Sequence, residues 1–234
     1  MSGAAGGGVS GTGHGGVSGG QNGGATDRTR AAYDEVAASY AAMIPDTRYE
    51  AAVDLAMVKH FVDAIAARPA AVLDAGCGTG RMISYLTSLD SELDIAGSDL
   101  SPAMLDQARG VHPELELVQG DNAALPFADA RFDGVLAWYS TIHTPPHQLG
   151  EVFGEFHRVL RPSGVLLLGF QAGTGDRRLD RPYGHDVDLT AYLHHTPYVR
   201  DALATAGFST VAVLDRGPRG VEKHAQGFVL AGRA

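Results

Sequence analysis

The sequence predicts an α/β protein with a doubly wound parallel sheet, and three observations carry that reading. Short apolar runs of strand length alternate with amphipathic stretches of helix length from residue 71 onward. One such run, Val72-Leu-Asp-Ala, breaks into Gly76, Gly78 and Gly80 immediately before a helical stretch. Apolar residues make up 44% of the 234 positions and charged residues 19%, enough to bury a real core. Strands that alternate with helices pair in parallel through right-handed crossovers, which covers both faces of the sheet. The length suits one large domain with appendages rather than two full domains.

Residues 1–27 hold 12 of the 31 glycines, interleaved with small polar residues, so they are expected to stay a disordered tail. The folded domain is expected over residues 28–234. Asp27 or Thr29 can cap a first helix in which Tyr33, Val36, Ala37 and Tyr40 share a face. A second helix over residues 50–67 would place Val53, Met57, Phe61 and Ala64 or Ile65 on one stripe before Arg68-Pro69 ends it. Together these form a helical cap over residues 28–68. Strands are then predicted over 71–74, 93–98, 115–118, 132–138 and 165–170, with helices over 79–89, 102–109 and 148–160. Ser101 caps the middle one, and Pro102 takes its first position. A helix over 197–206, stopped by Gly207, and strands over 209–214 and 227–231 complete the chain. The 26 residues 171–196 lack periodicity, and a loop that long in a compact domain reads as a lid or substrate segment.

With 18 Lys plus Arg against 27 Asp plus Glu, the net charge of −9 argues against a large phosphate-binding surface. Cys77 is the single cysteine, so no disulfide framework is possible, and no apolar run approaches the roughly 18 residues of a membrane span. The opening MSGAAGGGVS has neither a basic nor an apolar leader region. A reducing cytoplasm is the expected location, with neither nucleic acid nor membrane as partner.

The turn after the first strand carries the most chemistry. In an open parallel sheet, ligands sit beyond the carboxyl ends of the strands, where helix N-termini also point. Glycines there let backbone approach a ligand without an intervening Cβ. A dinucleotide fingerprint would want a further glycine where Arg81 stands, which disfavours a nicotinamide cofactor. Asp74 suits a cationic or amino-bearing ligand better than a pyrophosphate. Asp99 ends the second strand 19 residues after Gly80, the offset at which an acid reaches ribose hydroxyls. Asp121, in Gly120-Asp-Asn122, can accept from an exocyclic amine at the third strand end. No His or Asp stands at catalytic spacing from Cys77, which is read as a small packing residue. The adjacent pair His194-His195 is poor ligand spacing, so no metal is expected.

With these residues the chain resembles the class I S-adenosylmethionine-dependent methyltransferases, in their small-molecule branch near the ubiquinone and menaquinone methyltransferases. The resemblance covers residues 30–234 and rests on LDAGCGTG, GSDLSPAMLDQA, QGDNAALPF and FHRVLRPSG in order. It implies a seven-stranded, mostly parallel Rossmann-like sheet with the last strand antiparallel. It also implies that Asp74, Ala75 and the backbone of Gly76, Cys77, Gly78 and Gly80 hold the methionine part of S-adenosylmethionine, and Asp99 the ribose. Leu100 and Met104 would then face the adenine, and Gly120, Asp121 and Asn122 would meet its edge.

Methyl transfer needs a nucleophile held in line behind the methyl carbon, plus a base when the acceptor must lose a proton. His143, beyond the fourth strand, is the candidate base or acceptor-orienting group, the rival being a brace for the Pro145-Pro146 turn. Trp138 is expected against the donor and Tyr139 against the acceptor, the rival for both being packing alone, with Gln171 and His185 as further expected acceptor contacts. The Tyr33 and Tyr40 hydroxyls are expected at the donor carboxylate or the acceptor, core packing being the rival, and Arg48 is a candidate for that carboxylate because a guanidinium matches it in two-pronged fashion, a surface arginine being the rival. The expected activity is methylation of a small molecule in a biosynthetic or tailoring step. The alternative is a protein that binds the donor on the same fold without transferring the methyl group. A homodimer is compatible with the sequence, which does not identify the acceptor or the atom methylated.

Overall fold

The computed structural model describes residues 20–234. Helices α1 (Gly20–Met43) and α2 (Ala52–Ala64) come first. They are followed by β1 (Ala70–Ala75), α3 (Arg81–Leu89), β2 (Leu93–Asp99), α4 (Pro102–Val111), β3 (Glu116–Gln119) and β4 (Phe132–Trp138). The chain continues through α5 (Leu149–Val159), β5 (Leu160–Ala172), β6 (Asp176–Arg178), β7 (Thr190–Tyr192), α6 (Thr196–Thr205), β8 (Phe208–Arg216) and β9 (Ala225–Arg233). Seven strands form one sheet in the order β3-β2-β1-β4-β5-β9-β8. Strands β1 to β5 pair in parallel, and β9 runs antiparallel to both β5 and β8. The expected doubly wound sheet, with its last strand reversed, is the observed one.

Alternate side chains of β1 feed two cores, as a sheet covered on both faces requires. Leu73 joins Phe153, Phe156, Val199 and Leu203 of α5 and α6. Val72 joins Phe61, Ile83, Leu86 and Leu105 of α2, α3 and α4 on the other face. All seven residues of β4 are buried, which is why its apolar run was legible end to end. Ser101 caps α4 as expected, its Oγ accepting from the Met104 amide at 3.1 Å. Gly207 closes α6 at φ 92°.

Five expectations need correction. Helix α1 begins at Gly20, so residues 20–27 are helical rather than part of the tail; residues 1–19 lie outside the described residues. Val36 and Ala37 pack on Met104, and a helix held in this way extends outward at little further cost. Asp27 pairs with Arg30 one turn on instead of capping. Helix α2 is three residues shorter at its end than the expected 50–67 span, stopping at Ala64, and its buried face is Asp54, Val58, Phe61 and Val62. Val53 is exposed and Asp54 buried because the Arg216 guanidinium grips the Asp54 carboxylate with two hydrogen bonds of 2.6 Å. Strand β5 begins at Leu160 rather than 165, because Ser163 at φ 64° absorbs the Pro162 turn within a strand already paired to β4. Residues 171–196, expected to be aperiodic, contain the antiparallel pair β6–β7.

Candidate active site

The strand order reverses between β1 and β4, and the crevice at their carboxyl ends is where a doubly wound sheet takes its ligand. Gly76, Gly78 and Gly80 follow β1 at φ 78°, 53° and 81°, a left-handed region that other residues adopt only at a cost. At Gly76 a Cβ would also stand 2.2 Å from the Cβ of Ser140. The Gly76 and Cys77 amides donate to the Ser98 carbonyl at 2.7 and 2.9 Å. The Asp99 carboxylate accepts from the Gly78 amide at 2.8 Å and the Ser101 amide at 2.9 Å. Burial nevertheless raises Asp99 above the usual carboxylate range.

Asp74, at the end of β1, is 1% exposed, and neither of its oxygens has a hydrogen-bond partner within the protein. Burial, opposed by Arg81 and reinforced by Asp99, pushes its carboxyl up to about 7. An unmatched buried acid beside a glycine turn is complementary to a cationic amino group, so the residues present fit the amino-acid end of S-adenosylmethionine. Ala75 is buried in the sheet core, and the Cys77 thiol packs toward Gly97 and is pushed up by burial, consistent with a packing role.

A cavity of about 410 Å³ opens over this turn. Gly76, Gly78, Asp99, Leu100 and Met104 line it on the β1–β2 side, and Gly120, Asp121 and Asn122 continue the wall past β3. Opposite stand Tyr33 and Tyr40 from α1, Trp138 and Tyr139 at the end of β4, His143, and Gln171 from β5. Asp74, Ala75, Cys77 and Gly80 are not at the cavity wall.

Two more of the expected contacts fall elsewhere. Arg48 is largely exposed and held by Asp46 in its own turn, with Nε and Nη2 donating at 2.8 and 2.7 Å, so it does not reach the cavity. The guanidinium at the cavity is Arg81, the first residue of α3, which donates to Glu50 beside Tyr40. Trp138 Nε1 donates to the same Glu50 oxygen at 3.3 Å. Arg81 entered the sequence reading only as a departure from a dinucleotide fingerprint; its place at the start of the helix after the glycine turn was the available signal. His185 is also outside the cavity: its Nε2 meets Ser39 Oγ at 2.8 Å and its Nδ1 meets Glu35 Oε1 at 3.4 Å, on the outer side of α1.

His143 is held from both sides. Its Nδ1 lies 2.6 Å from the Thr190 carbonyl of β7, and its Nε2 lies 2.8 Å from the Tyr33 hydroxyl. Burial, helped by Arg177 and opposed by the Thr190 contact, lowers its pKa below the ordinary imidazole value. Helix α1 is fixed over the cavity by Asp34, whose Oδ1 accepts from Ser101 Oγ at 2.6 Å and the Ala103 amide at 3.2 Å, at the start of α4.

Residues 72–164 match the methyltransferase-domain family. The chain is 43% identical over 99 residues to a malonyl-[acyl-carrier protein] O-methyltransferase of Pseudescherichia vulneris, covering 42% of this chain and 38% of that relative. It is 36% identical over 108 residues to a demethylmenaquinone methyltransferase of Beutenbergia cavernae, covering 46% and 43%. The chain thus spans less than half the length of these curated relatives. A solved S-adenosylmethionine-dependent methyltransferase of Methanosarcina mazei shares the fold at a TM-score of 0.65 and 16% identity, covering 74% of this chain and 96% of that one. The motif-bearing turn, the reversed last strand and these matches agree: residues 72–164 are similar to the methyltransferase domain, and the chain shares its fold with solved S-adenosylmethionine-dependent methyltransferases.

Proposed function

We propose that this protein transfers a methyl group from S-adenosylmethionine to a small organic acceptor, in a biosynthetic or tailoring step. The observation that carries the reading is the buried, unpartnered Asp74 carboxylate behind the Gly76–Gly80 turn, whose Gly76 and Gly78 line the cavity together with Asp99 at the neighbouring strand end. When bound, the sulfonium donor supplies an electrophilic methyl group. The chain's residues then have distinct tasks. Asp74 and the backbone of residues 75–80 hold the amino-acid end, with Arg81 and Tyr40 flanking it. Asp99 receives the ribose hydroxyls, Leu100 and Met104 cover the adenine, and Gly120, Asp121 and Asn122 meet its edge. Trp138 walls the donor side. Tyr139 and Gln171 face the acceptor, and His143 stands at the acceptor side with its Nε2 against the Tyr33 hydroxyl. Residues 171–196, through β7, cover this end as a lid.

No helix among the described residues is long and apolar enough to cross a membrane. That observation and the acidic net charge of −9 support a small molecule in the cytoplasm rather than nucleic acid as the partner. A homodimer is part of the same reading. The test is a screen of small hydroxyl, amine and carboxylic acceptors with methyl-labelled S-adenosylmethionine, alongside calorimetric titration with S-adenosylhomocysteine. Transfer of label together with micromolar binding is expected. Binding without transfer to any class would favour the donor-binding alternative, and absence of binding would end the reading.

A further inference from the structure

Tyr33 and His143 come from elements 110 positions apart, yet their side chains meet inside the cavity at 2.8 Å with ring centroids 5.4 Å apart. The direction of that hydrogen bond is set by the other side of the imidazole. A carbonyl oxygen only accepts, so the 2.6 Å contact to the Thr190 carbonyl requires the proton on Nδ1. Nε2 of the neutral ring is then a lone pair, and the Tyr33 hydroxyl is its donor. This leaves the lone pairs of the Tyr33 oxygen facing the cavity that both residues line.

Resting on the methyltransferase reading, we propose that Tyr33 is a catalytic residue. It takes the proton of a hydroxyl acceptor while handing its own to His143, with the Thr190 carbonyl fixing the tautomer. In that step the acceptor O–H bond breaks and its proton bonds to the Tyr33 oxygen. The Tyr33 O–H bond breaks in concert, and its proton bonds to Nε2. The electron pair left on the acceptor oxygen forms the bond to the methyl carbon, and the pair of the broken carbon–sulfur bond stays on sulfur. The imidazolium so formed then loses its proton to solvent. No tyrosinate accumulates, as the burial that raises the Tyr33 phenol well above its ordinary range requires. The groups facing the pair are Tyr40 on α1, Tyr183 and Arg177 in the 171–196 segment, and Asp99 at the end of β2. Of the groups around the pair, Nε2 is the one hydrogen-bonded to the Tyr33 oxygen. The arrangement makes an un-ionised hydroxyl the substrate class, because a carboxylate acceptor has no proton to lose. It also joins β7 to the base, since the carbonyl that sets the tautomer belongs to Thr190.

The experiment uses the full chain and its Tyr33→Phe variant, both saturated with S-adenosylhomocysteine, with ¹⁵N-labelled histidine followed by NMR as the pH is varied. Wild type should show His143 protonated on Nδ1 and bare on Nε2. In the variant, loss of the donor to Nε2 should raise the His143 titration midpoint by about half to one unit. Turnover of simple phenols and alcohols should fall by about 10²–10⁴-fold with S-adenosylhomocysteine affinity unchanged. A wild-type ring protonated on Nε2 overturns the relay without any variant having to fold. An unmoved midpoint, a variant as fast as wild type, or a variant whose only defect is donor affinity overturns it too. Failure of S-adenosylhomocysteine to bind wild type is a separate result and sinks the methyltransferase reading itself.

Discussion

Along the ends of β1 and β2 the cavity wall is the glycine turn with Asp99, Leu100 and Met104, held by bonds such as that from the Gly78 amide to the Asp99 carboxylate, 21 positions apart. Across from it the wall is side chains from α1, the end of β4 and the 171–196 segment, joined by contacts such as Tyr33 to His143 and Ser39 to His185, 110 and 146 positions apart. The first wall is part of the sheet and shares its core, whereas α1 touches the body through a small apolar cluster around Val36, Ala37 and Met104 and the Asp34 clamp. A donor common to a whole family is best held by the wall that cannot move. An acceptor that differs between relatives is best met by side chains on elements that can be exchanged without disturbing the sheet.

The sharpest break of this comparison is Gly76→Ala. The new Cβ would collide with Ser140 and force a left-handed backbone, so the variant should lose about 3 kcal/mol or more of stability by denaturant titration. A neutral result would mean that the backbone wall yields as readily as the side-chain wall. Next comes Asp99→Ala, which removes the acceptor for the Gly78 and Ser101 amides and the proposed ribose contact. S-adenosylhomocysteine should bind more weakly by roughly 1.5–3 kcal/mol in calorimetry. Unchanged affinity in a folded variant would remove Asp99 from the donor half.

Asp74→Asn separates the cost of that half from its use. With its carboxyl pushed up to about 7, folded Asp74 keeps a proton that the unfolded chain has already released between about pH 4 and pH 7. By linkage, this group destabilises the ligand-free protein progressively as pH rises through that window. Relative to wild type, the Asn variant should therefore gain on the order of 1–2 kcal/mol of stability between pH 5 and pH 8, read from paired melting curves. It should also bind S-adenosylhomocysteine about tenfold more weakly at pH 8, because a neutral amide no longer matches the amino group. Parallel curves across the pH range would show that Asp74 carries no such burden.

The same division explains what could be read from the sequence. The glycine turn, Asp99 and the Ser101-Pro102 cap depend on neighbours in sequence, so their roles follow from local pattern. Strand β4 was legible because both its faces are buried. Helix α2 was misphased because Asp54 is buried by Arg216, 162 positions away, which no local periodicity can register. Arg48 was placed at the donor, and Arg81 overlooked there, for a related reason. Arg48 was the guanidinium read as a carboxylate partner, and only the fold shows that it is captured by Asp46 while Arg81 opens α3 at the cavity. The Tyr33–His143 bond lies wholly beyond local pattern.

The smallest expected effect lies at the outer edge of the side-chain wall. His185 links the 171–196 segment to α1 through Ser39 and Glu35, but the link is partly exposed, with 32% and 54% of the His185 and Glu35 side chains accessible. Contacts of this kind, screened by solvent, contribute little to global stability. The His185→Ala variant should therefore melt within about 2 °C of wild type. Its affinity for S-adenosylhomocysteine should also be unchanged, because the imidazole does not reach the cavity. What should change is local: amide exchange in residues 180–190 should accelerate, since fewer tertiary contacts then oppose opening of this segment. If exchange there is unaffected, the segment is held by its other contacts, among them the β6–β7 pairing, the Thr190–His143 contact and Tyr183 against Tyr40. If instead donor affinity falls, the two walls are coupled through α1, and the rigid donor half is less independent of its cover than the bonding pattern implies.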